Sequence, residues 1–186
     1  FYGCGKLETL NLRSFDTSGL TVNNDNMFNG CSSLKSVLLG NKFSKLSGAN
    51  IFDGCINLKA IIAEKKIEVS NHAIELANNT GINNLTDAKL YVMDAQSEEM
   101  YKLANNYGTA FGENRIKTII SLAGENPTTI KIGEAYSDEG VLILDSNNRP
   151  EYMEYGYIVE RVGLPLDTSK EGTAQVIYIL KYGRVE

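Results

Sequence analysis

Met27-Phe28-Asn29-Gly30-Cys31-Ser32-Ser33-Leu34-Lys35-Ser36-Val37-Leu38-Leu39 is the stretch on which the reading of the first part of the chain turns. It stands earlier as Phe1-Tyr2-Gly3-Cys4 followed by Leu7, Leu10 and Leu12, and later as Phe52-Asp53-Gly54-Cys55 followed by Leu58, Ile61 and Ala63. Each copy sets a Phe three residues before a Cys, a Gly one before it, and apolar residues three, six and eight after it. From Cys4 to Cys31 is 27 residues and from Cys31 to Cys55 is 24. That lies within the roughly 20 to 29 residues of a repeat in which one short strand and one return segment form a coil. The spacing predicts a solenoid of stacked rungs.

In each rung the apolar triplet turns to one side of a short strand and the residues between point to the other. That second face carries Thr9, Asn11 and Arg13, then Ser36 and Leu38, then Ala60, Ile62 and Glu64. Stacked, these make a small exposed strand surface of mixed chemistry, and solenoids bind through such surfaces. The candidate ligand-binding residues are therefore Asn11, Arg13, Ser36, Leu38, Ile62 and Glu64. The plainer reading leaves Leu38 and Ile62 as scattered surface residues, or as residues covered by the next domain.

The three cysteines occupy matching repeat positions, which predicts small apolar side chains stacked rung on rung inside the coil. Distance alone permits a bridge between neighbouring rungs, but an odd count leaves one thiol over. Zinc lacks a ligand set, because no Cys-x-x-Cys pair exists and His72 is the only histidine. A serine triad or cysteine dyad needs an imidazole near its nucleophile, and His72 sits beside Asn71 with no nucleophile motif. The phosphate-loop pattern Gly-x-x-x-x-Gly-Lys-Ser/Thr is missing. Glu98 and Glu99 point to different sides of a helix, so they suit a helix start better than a glycosidase cleft. Asp145, Asn147, Asn148 and Glu151 bring oxygen atoms to one loop that suits either a weak calcium site or a plain turn. The expectation is a non-enzyme without cofactor.

Composition bounds the partners. With 42% hydrophobic and 22% charged residues in 186, the chain is long enough for one or two domains with cores. Its 18 basic and 23 acidic residues give a net charge of -5 without long runs of one sign, which argues against capture of nucleic acid or an anionic membrane. No apolar run approaches the roughly 18 residues of a membrane span, and none follows a basic start as in a signal peptide. Phe1 lies in mid-motif, so the chain reads as a fragment whose signal, anchor and earlier repeats lie outside it.

After Ala63 the repeat loosens through residues 67–69, a short helix over 71–78 and a strand over 89–92. Ser97 is placed to cap a helix bearing Glu98 and Glu99 in its first turn, Met100, Leu103, Ala104 and Tyr107 on one face, and Gly108 as its stop. That helix is expected to seal the last coil, whose apolar cross-section and sheet edge need a cover. From Thr118 the pattern becomes strands, over 118–122, 128–132, 141–144, 157–162 and 173–181, rich in Ile, Val, Thr and Tyr between turn residues. In Ala174-Gln175-Val176-Ile177-Tyr178-Ile179-Leu180 both sides are largely apolar, which predicts a central strand of a small β-sandwich.

Phe-x-Gly-Cys-x-x-Leu-x-x-Leu, with Leu90-Tyr91-Val92, the helix through Tyr101 and the closing Arg115-Ile116, resembles the BspA-like leucine-rich repeat family of bacterial surface proteins over residues 1–117. The turns built on Gly133-Glu134-Ala135-Tyr136-Ser137-Asp138-Glu139-Gly140 and Asp167-Thr168-Ser169-Lys170-Glu171-Gly172-Thr173 resemble bacterial Ig-like repeat domains over residues 118–186. The usual ending of those domains is altered here to Tyr178-Ile179-Leu180-Lys181-Tyr182-Gly183-Arg184. Together the resemblances imply an α+β leucine-rich repeat solenoid with a helical C-terminal cap, followed by an all-β Ig-like sandwich. They imply extracellular display on a bacterial cell surface with adhesion to a host or matrix protein or glycan; the further expectation is a monomer, with no membrane insertion of this piece. The rival readings are a structural spacer carrying a more N-terminal head, and an accessory domain of a secreted enzyme.

Overall fold

Each Phe-x-Gly-Cys motif folds as a tight turn in which the cysteine N–H donates to the phenylalanine carbonyl, at 3.1 Å for Cys4, 3.0 Å for Cys31 and 3.1 Å for Cys55. The glycines at its third position have φ of 70° at Gly3, 73° at Gly30 and 74° at Gly54. That is the left-handed value which makes glycine the natural choice there. A second bond, from the leucine three residues on to the cysteine carbonyl, closes the next turn at 3.0 Å in all three copies and aims the chain into a strand. These facts come from a computed structural model, which describes residues 1–19, 25–46, 48–65, 75–76, 85–103, 110–144 and 156–182.

The chain divides into two compact units, Phe1–Ile119 and Ile120–Glu186. In the first, β1 (Thr9–Leu12), β2 (Ser36–Leu39), β4 (Ala60–Ala63), β6 (Lys89–Val92) and β7 (Ile116–Thr118) form one parallel sheet in that order. A second pair, β3 (Lys45–Leu46) with β5 (Glu75–Leu76), is also parallel. Register is residue for residue: Leu10 opposes Val37, Val37 opposes Ile61, and Ile61 opposes Leu90. Equivalent side chains thus lie one strand spacing apart, about 4.8 Å.

Beneath the sheet, Leu12, Val37, Leu39, Ile61, Ala63, Leu90, Val92 and Ile116 join Phe28, Phe52, Cys31 and Cys55 in one buried cluster. The motif phenylalanines stack along it, with ring centroids 5.7 Å apart for Phe1 and Phe28 and 5.2 Å for Phe28 and Phe52. Cys31 donates its thiol to the Phe1 carbonyl at 3.0 Å and Cys55 to that of Phe28 at 3.1 Å, so each sulfur is tied to the preceding rung. Both are buried, whereas Cys4, expected in the same interior slot, is exposed.

Helix α1 (Ala95–Leu103) starts at Asp94, whose carboxylate accepts the Ser97 N–H at 2.8 Å; the cap expected at Ser97 lies three residues earlier. Ser97 is itself buried, and Lys102 pairs back to Glu98 at 2.8 Å. The helix packs on β6 and β7. It connects strands instead of sealing the last coil, because β7 follows it and extends the sheet. Arg115 fixes this crossover by donating to the carbonyls of Leu85, Ala88 and Ala110. Ile119 N–H bonds the Val92 carbonyl at 2.7 Å, which keeps residues 118 and 119 with the first unit.

The second unit holds two antiparallel pairs, β8 (Ile120–Leu122) with β9 (Val141–Ile143) and β10 (Tyr157–Val162) with β11 (Ile177–Tyr182). The strands expected over 128–132 and over 173–176 do not form, and among the described residues β11 pairs on one side only instead of standing as a central strand. Asp138 organises the loop before β9: its carboxylate accepts the Gly140 N–H at 3.0 Å, the Arg161 guanidinium at 3.1 Å and the Tyr178 hydroxyl. Arg161 and Tyr178 are opposed across β10 and β11.

The expected fold class is corrected accordingly. Among the described residues the strands lie in small sheets of which the five-stranded parallel one is the largest, and little is helical, so the chain is not an α+β leucine-rich solenoid with a helical cap and an Ig-like sandwich. Turn chemistry sets the described ends of the return segments: Asn26 and Asn50, each five residues before a motif cysteine, take φ of 57° and 52°, which no right-handed helix accommodates. Over residues 128–132 and 173–176, β-branched composition did not suffice to make a ladder, because strand preference depends on a partner being in place. The helix expected over 71–78 falls largely outside the described residues, and the two that are described, Glu75 and Leu76, are strand. The calcium candidates Asp145, Asn147, Asn148 and Glu151, and likewise His72, Ala104, Tyr107 and Gly108, lie outside the described residues.

Candidate interaction surface

The six residues expected on an exposed strand face occupy matching positions, but most of that face is buried. Asn11, Leu38, Ile62, Tyr91 and Lys117 oppose one another strand by strand. Leu38 and Ile62 at the middle of the column are 0% exposed, Ser36 is 7% exposed and Glu64 5%. Alternation had correctly separated the two faces of the strands, yet it carries no information on whether the second face meets water. Asn11 is exposed, and its side chain accepts the Arg13 N–H at 3.0 Å, bracing the end of β1.

Arg13 and Glu64 are the pair that the structure brings together. The guanidinium donates through Nε at 2.9 Å and through its terminal nitrogen at 2.6 Å to the two carboxylate oxygens, a fork-on-fork contact. Both follow the motif cysteine by nine residues, in the first and third rungs, and Gly40 holds the equivalent place between them. A Cβ at Gly40 would stand 2.0 Å from the Arg13 carbonyl oxygen. The glycine thus lets the Arg13 backbone close in and leaves the middle rung without a side chain. The charges meet across two strand spacings, about 10 Å of sheet.

The exposed chemistry of the first unit lies at the start of the strands. Lys35 pairs with Glu8 at 2.7 Å and Lys59 with Asp87 at 2.7 Å, all four side chains more than half exposed. Backbone bonds from Lys35 to Glu8 at 2.7 Å, from Lys59 to Lys35 at 2.8 Å and from Lys89 to Lys59 at 2.9 Å hold this edge in step. Lys35 lowers the Glu8 carboxyl below its ordinary value by its hydrogen bond and charge, as Lys59 does for Asp87. The sequence signal for this edge was the charged residue four after each motif cysteine: Glu8, Lys35 and Lys59. Among the described residues no group of three or more His, Cys, Asp or Glu is placed to hold a metal ion. No helix among them is long and apolar enough to cross a membrane.

Comparison with protein-family models, curated proteins and solved structures returns no match for the chain.

Proposed function

We propose that this chain is a non-catalytic interaction module of a bacterial cell surface that holds a host or matrix protein or glycan. The observation that carries the reading is the residue-for-residue parallel pairing of the Phe-x-Gly-Cys rungs. It sets equivalent repeat positions side by side, so that the charged residue four after each motif cysteine joins one exposed edge, and neighbouring repeats can build an extended contact surface in this way. Burial of Leu38 and Ile62 removes the strand face from consideration, so contact falls to the charged edge of Glu8, Lys35, Lys59 and Asp87. The test is binding of the intact chain to immobilised matrix proteins and to a glycan array, compared with a Lys35→Glu, Lys59→Glu variant. Saturable binding that the double reversal weakens at least about tenfold, a change of about 1.4 kcal/mol, with the melting temperature held, supports the edge. Equal binding by both chains rejects it.

A structural spacer is the second reading, favoured by the same burial, since a strand face used for packing is closed to a ligand. Saturable binding to neither surface, by a folded chain, supports the spacer over the module.

A further inference from the structure

Among its described residues the second unit leaves two segments outside any sheet. Residues 128–132 and 173–175 border a common groove of about 1180 Å3, and among the described residues neither segment belongs to a sheet. Lys131 spends its N–H and carbonyl locally, on the Glu134 side chain at 3.1 Å and the Glu134 N–H at 3.0 Å. The N–H groups of Thr129, Ile130 and Ile132 make no backbone bond among the described residues. Ile132, Ile177 and Leu122 line the groove at 65%, 50% and 46% exposure. Against this, the buried large side chains described in the unit are Ile143 and Tyr157. Among the described residues, apolar surface is thus left in water beside backbone that has no ladder partner.

These features select one kind of occupant. Alternating N–H and C=O groups at strand spacing are supplied by extended polypeptide, and an edge that lacks them is a template for strand addition. Charge narrows the choice further. Glu125, Asp138, Glu139, Asp167 and Glu171 line the groove against Lys131 and Lys170, and Arg161 answers Asp138, leaving four acids to two bases. We propose that the groove takes an extended segment of another polypeptide, apolar on one side and Lys- or Arg-bearing on the other, added as a strand along residues 128–132 and 173–175. This does not depend on the charged edge of the first unit.

The test is titration of the intact chain with an eight-residue peptide alternating Lys with Val and Ile, read by anisotropy and amide hydrogen exchange. Expected are saturable binding weakened by salt, slower exchange at Ile130 and Ile132, whose N–H groups face the edge opposite Lys131, and a higher melting temperature. A version with Pro in mid-peptide, and one with Glu for every Lys, should each bind at least about tenfold more weakly. Ile130→Pro in the protein, which removes one N–H from that edge, should weaken the parent peptide while the melting temperature of the free chain holds. Three results overturn the proposal. Those amides already exchange slowly in the free chain, because its own residues or a second copy fill the place; the Pro peptide binds as well as its parent; or the Glu peptide does.

Discussion

Arg13 and Glu64 form a forked ion pair, 2.6 Å at its shortest, over a rung that presents only the hydrogen of Gly40. The acid is 3% exposed in its side chain and the base 28%. First and third rungs are thereby joined directly, in addition to the strand-by-strand ladder that passes through the second. The pair staples the register of the stack, because a slip by one residue would set a strand-face side chain where the guanidinium must pass.

The unequal burial of the two partners predicts unequal costs. Arg13→Ala leaves the Glu64 carboxylate in the interior without its guanidinium and should cost about 3–5 kcal/mol. Glu64→Ala leaves a guanidinium that solvent still reaches, for about 1–3 kcal/mol. Arg13→Met combined with Glu64→Leu should recover most of the loss, since a well-packed apolar pair of like volume often equals a buried ion pair. Chemical denaturation of the four chains checks this, and equal losses for the two alanine variants would refute the asymmetry.

Gly40→Ala should be among the most damaging single-methyl additions in the chain. Its Cβ meets backbone at 2.0 Å, which no side-chain rotation relieves, so the cost should reach the upper end of overpacking, about 3 kcal/mol or more. The turn glycines make a graded comparison. Gly3→Ala places its Cβ in open space, and Gly54→Ala places it 3.3 Å from the Gly30 Cα. Both carry the left-handed penalty of about 1–2 kcal/mol, and Gly54→Ala should exceed Gly3→Ala by the added crowding. Melting temperatures of the three variants rank them, and a Gly40→Ala chain as stable as Gly3→Ala would contradict the close approach.

Much of this stack is visible in the residues themselves, and the reason is local. Apolar spacing of three, six and eight after a cysteine admits few chain paths once the glycine before it has fixed the turn, and β2 and β4 begin five residues after Cys31 and Cys55. What lies on the far face of a strand is not local. Leu38 and Ile62 alternate with core residues in the way exposed residues do, yet tertiary packing buries them. The Arg13 to Glu64 contact had a signal that was available and unread, namely opposite charges at the same repeat position with glycine between them. The β-rich pattern of residues 128–132 failed for the converse reason: strand formation needs a neighbour, and composition does not supply one.

Thiol reactivity should divide along the rungs. Burial raises Cys31 above the ordinary thiol range and pushes Cys55 up to about 12. Thiolate, the reactive form, is thereby scarce at neutral pH. Cys4 is exposed. Iodoacetamide applied to the native chain should modify Cys4 alone, with Cys31 and Cys55 reacting only when denaturant opens the stack. Mass mapping of the modified peptides decides, and prompt native labelling at Cys55 would show that the thiol ladder to the preceding phenylalanine carbonyls does not persist in solution.

Asp138 and Tyr178 should give the second unit a stability window bounded on both sides. The hydroxyl bond from Tyr178, aided by Arg161 and the Gly140 N–H, holds the Asp138 carboxyl below the usual carboxylate range. A lowered folded value means that the charged form is favoured by folding. Its contribution is therefore complete above the unfolded value near 4 and is lost as pH falls through the folded one. Burial, and then the hydrogen bond to Asp138, pushes Tyr178 up to about 12. Here the neutral form is favoured, so the contribution is complete below the unfolded value near 10 and is lost as pH rises toward about 12. Tyr178→Phe removes the hydroxyl and should flatten the alkaline limb while softening the acid one, because Arg161 and the Gly140 N–H still hold the carboxylate. Hydrogen exchange at the Gly140 amide, corrected for intrinsic rate and followed from pH 3 to beyond pH 10 in both chains, reads each limb separately. Identical profiles for the two chains would mean that the Asp138 clamp plays no part in holding the loop.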